Sequence, residues 1–271
     1  MTPSRTACAA VLCFIAALAP PAFAEPPATV FLEELTWTEL RGLVQAGKTT
    51  IIVPIGGTEQ NGPHMALGKH NARVKALAER IARALGNALV APVIAYVPEG
   101  GLRPVTGHMR FPGTITVPDD VFQRVLESAA RSVRLHGFRD IVFLGDHGST
   151  QAGENAVAAR LNREWTTTPV RAHAIEEYYR AATAGFRDVL KARGYRPEEL
   201  GDHAALPDTS LTLALDPGLV RMSALLAEPA PGAVSGVEGD PRRASAELGR
   251  LGVDLIVNRT VAAIKESTNR R

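Results

Sequence analysis

Five of the seven histidines in this chain, His64, His70, His108, His147 and His203, fall in polar or glycine-rich connections. The other two read as structural, since His136 closes a helix pattern and His173 lies inside a strand pattern. Glu59 and His70 bracket one loop, and His147 stands in GDHGST directly after an apolar run. Two imidazoles and one carboxylate make a zinc-binding set with one position left open for water. Zinc held by Glu59, His70 and His147 would lower the pKa of that water to about 7, a route to a nucleophile at neutral pH. His108 precedes FPGT, whose proline and glycine fix a turn, so it is placed to line a substrate pocket or support a ligand. His64 reads as a group behind the ligands. Ser149 lies outside any G-x-S-x-G elbow, which argues against a serine nucleophile.

Such residues serve one site only if rigid elements deliver them to one place. TTIIVPIGG and DIVFLGD are apolar, β-branched runs bounded by glycine and polar residues, and they predict buried strands. ALVAPVIAYV and VRAHAI predict two more. Between them, Val74, Leu77, Ala78, Ile81 and Leu85 share one helical face that Gly86 stops. PDDVFQRVLESAARSVRLHG opens with proline and two acids, the charge order that a helix dipole favours. Helices are also expected near TWTELRGLVQAG, over 151–164, over EEYYRAATAGFRDVLKARG and along the final stretch from RRASAELG. EEYY reads first as an amphipathic helix start, although it could bring an aromatic and an acid to the pocket. Strand and helix alternate almost throughout, which predicts one α/β domain with a mostly parallel sheet covered on both faces. In such sheets ligands bind beyond the carboxyl ends of the strands. The loops after IIVPI and DIVFLG leave the sheet at that edge.

The N-terminal segment is of another kind. Arg5 precedes an apolar run, two prolines follow, and Ala22, Phe23 and Ala24 form a small-x-small cleavage pattern. Residues 1–24 are therefore expected to be a secretory signal peptide, cut after Ala24. Residues 25–36 would be a linker and 37–271 the single domain, in a periplasmic or secreted protein. Cys8 and Cys13 are the only cysteines and would leave with the signal, so the mature chain would have no disulfide or thiolate. Thirty basic against 28 acidic residues, with no basic run, argues against nucleic-acid binding or electrostatic membrane binding. No later apolar stretch is long enough to span a bilayer.

The loop around Glu59 resembles the creatininase family motif E-x-H-G-x-H-L-P-x-x-x-D. HMRFPGTITV is similar to the family's H-x-x-F-P-G-T-I segment, and FLGDHGST takes the place of its N-G-H-G-G-N loop. DHAALPDTSLTLALDP and GVEGDPRRASAELG resemble its H-A-G-x-x-E-T-S-x-x-L-x-x-x-P and G-V-x-G-D-P-x-x-A-x-x-E-x-G segments, in the right order. The resemblance runs from about Thr36 to the last helix. It implies a three-layer α/β/α sandwich and a hydrolase of cyclic amides or other small C–N bonds. It also implies one or two divalent metals, zinc or manganese, and a homo-oligomer.

Several positions depart from that pattern. Glu59 and His147 keep the family's glutamate and loop histidine. Asn61 replaces a histidine, and His70 replaces the aspartate that bridges two metals. Ser149 replaces an acid that some members carry. A neutral imidazole cannot bridge two cations as a carboxylate does. One divalent metal is therefore expected, with zinc favoured over manganese, in a divergent exported member of the family. His203 falls where the family keeps a proton-handling histidine, and its ordinary pKa of ~6.5 suits that work. Asp208 stands in place of a glutamate there. Asp146, at a family glycine, would act as a general base or orient an imidazole. His203, Asp208 and Asp146 are thus the expected catalytic groups, with His108 and Asn61 against the substrate. The competing expectations are a small-ligand-binding protein on the same scaffold and a metal-dependent lactonase.

Overall fold

Every residue of Thr50–Ile55 (β1) is buried, as its apolar, branched sequence demands. The computed structural model describes residues 28–226 and 234–269. After α1 (Trp37–Gln45), opened by a capping box between Thr36 and Glu39, the chain enters β1 and then α2 (Lys69–Leu85). There follow β2 (Ala88–Val90), α3 (Asp119–Leu135), β3 (Asp140–Gly145), α4 (Gln151–Glu164) and β4 (Arg171–Ala174). The C-terminal third is helical: α5 (Glu176–Arg180), a π-helical turn, α6 (Phe186–Ala192), α7 (Leu206–Leu215), α8 (Met222–Leu226) and α9 (Ala246–Asn269). The four strands are all parallel, in the order β2-β1-β3-β4.

Successive side chains of a strand point to opposite faces, and here both faces are packed. Ile51, Val53, Ile55, Ile141 and Phe143 meet Phe122 and Leu126 of α3 and Val157 and Leu161 of α4. Ile52, Val142 and Leu144 meet Val74, Leu77 and Ile81 of α2, with Tyr178, Phe186, Leu211, Val253 and Ile256 from the later helices. The result is the expected three-layer α/β/α sandwich. Pro54 is tolerated in a central strand because its missing N–H falls on the β2 side, where regular pairing has ended at Ile52 and Val90.

Some elements differ from their sequence patterns. ALVAPVIAYV pairs continuously only over Ala88–Val90; beyond Pro92 it makes isolated bridges, Ile55 with Ile94 and Val97 with Thr116. Residues 28–36, expected as linker, pack on the sheet edge: Val30 is buried, its carbonyl accepts from Val90 N at 2.8 Å, and Phe31 bridges Val90. The helix expected from EEYY onward is one continuous element in which residues 181–185 widen into the π turn. Residues 206–215 form a helix that no amphipathic stripe announces, because it is buried on most sides. The expected signal segment, 1–24, lies outside the described residues. Among the described residues no helix is long and apolar enough to cross a membrane.

α7 and α9 approach backbone to backbone. A Cβ on Gly249 would stand 1.8 Å from the Ser210 carbonyl oxygen, whereas one on Gly42, in α1, would meet nothing within 4 Å. The same substitution should therefore have opposite signs at the two sites. Gly42→Ala should stabilise the protein by about 0.5–1 kcal/mol through helix propensity. Gly249→Ala should destabilise it by about 1–3 kcal/mol through overpacking, both read from urea unfolding midpoints.

Candidate metal centre

β1 and β3 are neighbours, yet α2 follows β1 onto one face of the sheet and α4 follows β3 onto the other. Their connections part at the carboxyl edge and open a crevice. Asn71 fixes the first connection: its side-chain carbonyl accepts from Gly57 N at 3.0 Å and occupies the space a Cβ on Gly56 would need. Gln60 N donates to Thr114 Oγ1 of the FPGT turn at 3.1 Å. Glu59, between these anchors, is delivered into the crevice.

The Glu59 carboxylate is wholly buried. Its Oε1 lies 2.7 Å from His70 Nε2 and 3.8 Å from His203 Nδ1. Its Oε2 lies 3.0 Å from His147 Nε2 and 3.1 Å from His108 Nε2. Burial pushes the Glu59 carboxyl up, but hydrogen bonds from His147 and His70 and their charges outweigh it and hold the group well below the usual carboxylate range. Glu59, His108 and His147 each offer one ligand atom, all within 4.8 Å of one another. In a tetrahedral zinc site with bonds of about 2.0–2.1 Å, donors stand about 3.3 Å apart, so the observed spacings fit that ion. Ser149 Oγ lies 2.7 Å from His147 Nδ1 and itself donates to the Pro98 carbonyl. The Ser149 backbone N–H also donates to His147 Nδ1 at 3.2 Å, so Ser149 fixes the orientation of the ring whose Nε2 faces the centre.

His70, expected beside His147 in the ligand set, has its second nitrogen, Nδ1, 2.6 Å from Asp146 Oδ2, so the ring bridges two buried carboxylates. The donor atoms gathered within 4.8 Å are those of Glu59, His108 and His147. Asp146 also accepts from Arg73 Nε at 2.8 Å and from the Tyr178 hydroxyl at 2.6 Å. Burial raises its pKa, but the Arg73 charge and the His70 bond bring it below the ordinary value. Asp208 is engaged by Lys69 and Arg73 and accepts from Ala204 N at 3.1 Å. Burial raises the Asp208 pKa, while the charges of Lys69 and Arg73 hold it well below the usual range. Lys69, His70 and Arg73 share the first turns of α2, three and four residues apart, and so point together.

His203 lines the pocket, and its Nε2 lies 2.9 Å from the Gln60 carbonyl oxygen. Burial first, then the Lys69 charge, push its pKa down to about 4, so the ring is neutral at neutral pH. Asn61, expected at the substrate, is fully buried and turns back on its own loop, donating to the Glu59 and Ala66 carbonyls. His64 is 2.9 Å from Thr209 Oγ1, behind the centre. Sequence patterns gave no sign of Glu99. It is buried, its Oε2 lies 3.2 Å from His147 Nε2, and neither carboxylate oxygen has a hydrogen-bond partner. Burial and the neighbouring Glu59 charge push Glu99 up to about 9. The cavity over these groups measures about 230 Å³ and is bordered by Lys69, His108, His147, Tyr179, Arg187 and His203.

The model of the creatininase family, described as creatinine amidohydrolase, matches residues 33–264. Creatinine amidohydrolase of Pseudomonas putida is 26% identical over 260 residues, covering 88% of this chain and 97% of its own. Two solved creatininase structures, one a manganese form and one a zinc–zinc form of a variant, are each 25% identical with a TM-score of 0.72. Each covers 88% of this chain and 98% of its own.

The two cations beside Asp208 give its charge a structural task that can be measured. Asp208→Asn would leave Lys69, 1% exposed, without its counter-charge, which should cost about 3–5 kcal/mol. Asp120→Asn, at the exposed pair with Arg124, should cost less than about 1 kcal/mol. Chemical denaturation of both variants checks the contrast.

Proposed function

The chain belongs to the creatininase family, whose relatives are amidohydrolases, and from that premise we propose an exported hydrolase of a small cyclic amide or other C–N bond. One observation carries this reading: three imidazole Nε2 atoms, from the start of α2 and from two separate connections, lie within 3.1 Å of one buried carboxylate at the strand ends. Glu59, His108 and His147 would hold a single divalent ion, with zinc favoured over manganese. Such an ion would supply Lewis acidity, polarising the amide carbonyl and lowering the pKa of water.

The chain's own residues would handle the proton. With Nε2–H given to the Gln60 main-chain carbonyl, His203 would turn its Nδ1 lone pair toward the centre. Being neutral, the ring would act first as a base, taking the proton of the attacking water at Nδ1. It would then return that proton to the leaving nitrogen as the C–N bond breaks. His70 would hold Glu59 Oε1 in place, and Asp146, itself held by Arg73 and Tyr178, would fix the orientation of His70. Asp208 would keep Lys69 and Arg73 at the pocket wall rather than touch the reacting bond. The cavity is smaller than the roughly 300–1,000 Å³ of drug-sized sites, which favours a small ring as substrate. The homo-oligomer is kept as part of this reading, supported by apolar side chains left exposed at Tyr96, Leu102 and Val105.

Zinc-loaded protein should open members of a panel of creatinine, hydantoins and lactams, and a chelator should abolish the turnover. Glu59→Gln and His147→Ala should each remove activity. His203→Gln should lower kcat about 10²–10⁴-fold while leaving metal content unchanged. Saturable ligand binding that a chelator leaves intact, without turnover, would establish the binding-protein alternative, and faster cleavage of lactones than of amides would establish the lactonase. Export is tested by N-terminal sequencing of periplasmic material, which should begin at Glu25.

A further inference from the structure

We propose that Glu99 is a fourth ligand of the metal centre, a carboxylate brought from the loop before the FPGT turn into the side of the site where Ser149 leaves an acid missing. The proposal rests on the metal-dependent reading above.

Glu99 is 3% exposed, and both of its carboxylate oxygens lack a hydrogen bond. The other buried acids of the site are better supplied. Asp146 has Arg73, Tyr178 and His70, Asp208 has Lys69 and Arg73, and Glu59 has the imidazoles. The neighbours of Glu99 are the Glu59 carboxyl, which repels its charge, and His147 Nε2 at 3.2 Å, and an ionised carboxylate so placed is expensive unless a cation meets it. Lys69, whose charge acts on Glu99, is already engaged by Asp208.

The position of Glu99 is built rather than incidental. Its backbone N–H donates to Thr116 Oγ1 at 2.9 Å, and its carbonyl accepts from His108 N at 3.1 Å. One residue thus presents its own carboxylate and fixes the backbone of a ligand histidine. Room for the carboxylate exists because residue 57 is glycine: a Cβ there would stand 2.5 Å from Glu99 Oε1. The Oε2 atom lies 3.2 Å from His147 Nε2, which lies 3.0 Å from Glu59 Oε2. These separations let the two carboxylates and His147 meet one ion, which would keep its water position by expanding to five-coordinate.

The set then becomes two carboxylates and two imidazoles. It neutralises a divalent charge completely, where Glu59, His108 and His147 alone leave one positive charge. It is also richer in oxygen, the donor that suits manganese as well as zinc.

The test uses the mature chain stripped of metal, titrated with zinc ions alone against a competing chelator dye, for wild type, Glu99→Gln and Glu99→Asp. Glu99→Gln should bind zinc at least tenfold more weakly than wild type. X-ray absorption of its zinc complex should show one fewer oxygen or nitrogen neighbour. Metal-free Glu99→Gln should melt at or above the wild-type temperature, since it removes an unpartnered buried acid. Glu99→Asp keeps the charge one methylene further back and should fall between the two, which keeps the comparison available if the glutamine variant fails to fold. Zinc affinity and neighbour number unchanged in Glu99→Gln or Glu99→Asp would overturn the assignment of Glu99 while leaving the metal-dependent reading intact. Failure of the wild-type protein itself to hold zinc would overturn both.

Discussion

A carboxylate with no exposure to water dictates much of this molecule. Glu59 can stay ionised inside the protein only if hydrogen-bond donors and positive charge surround it. The chain meets that demand with imidazoles drawn from α2, from the turn before FPGT and from the β3–α4 connection. Each of these must be held at hydrogen-bond distance, and the sandwich supplies the rigidity that this requires.

The support continues outward in layers. His70 reaches from Glu59 to Asp146, and Asp146 is met by Tyr178 of α5 and by Arg73 of α2. Arg73 also reaches Asp208 of α7, which is joined by Lys69. One guanidinium therefore ties the base of the site to a helix distant in sequence. The planar, several-pronged geometry of arginine allows such a double engagement, which the single ammonium of lysine could not give. The centre and the packing of the C-terminal helices are consequently parts of one electrostatic arrangement.

Much of the fold was legible in the sequence, because burial on both faces of a parallel sheet leaves apolar strands and one-sided helices. The helix over 151–164 and the strands at 50–55 and 140–145 were visible in that way. α7 was not, since a helix surrounded by protein has no polar face to give it a period. At the site, residue types were legible but partnerships were not. Nothing local in GKHN says that His70 will turn to Asp146, a residue 76 positions away, or that His108 will gather with Glu59 and His147. Lys69 and Glu99 look like solvent-facing charges in a loop, and only the tertiary structure buries them.

Pro54 has an effect beyond its own strand. Because it offers no N–H on the β2 side, the ladder along β1 is interrupted there, and the chain after Val90 breaks step at Pro92 before Ile94 rejoins β1 between Pro54 O and Gly56 N. The rim of the sheet is left ragged on that side. Beyond Ile94 the chain leaves the sheet, pairs Val97 with Thr116, and carries Glu99 and His108 to the centre. A single missing hydrogen-bond donor in the most regular part of the protein thus makes room for the least regular.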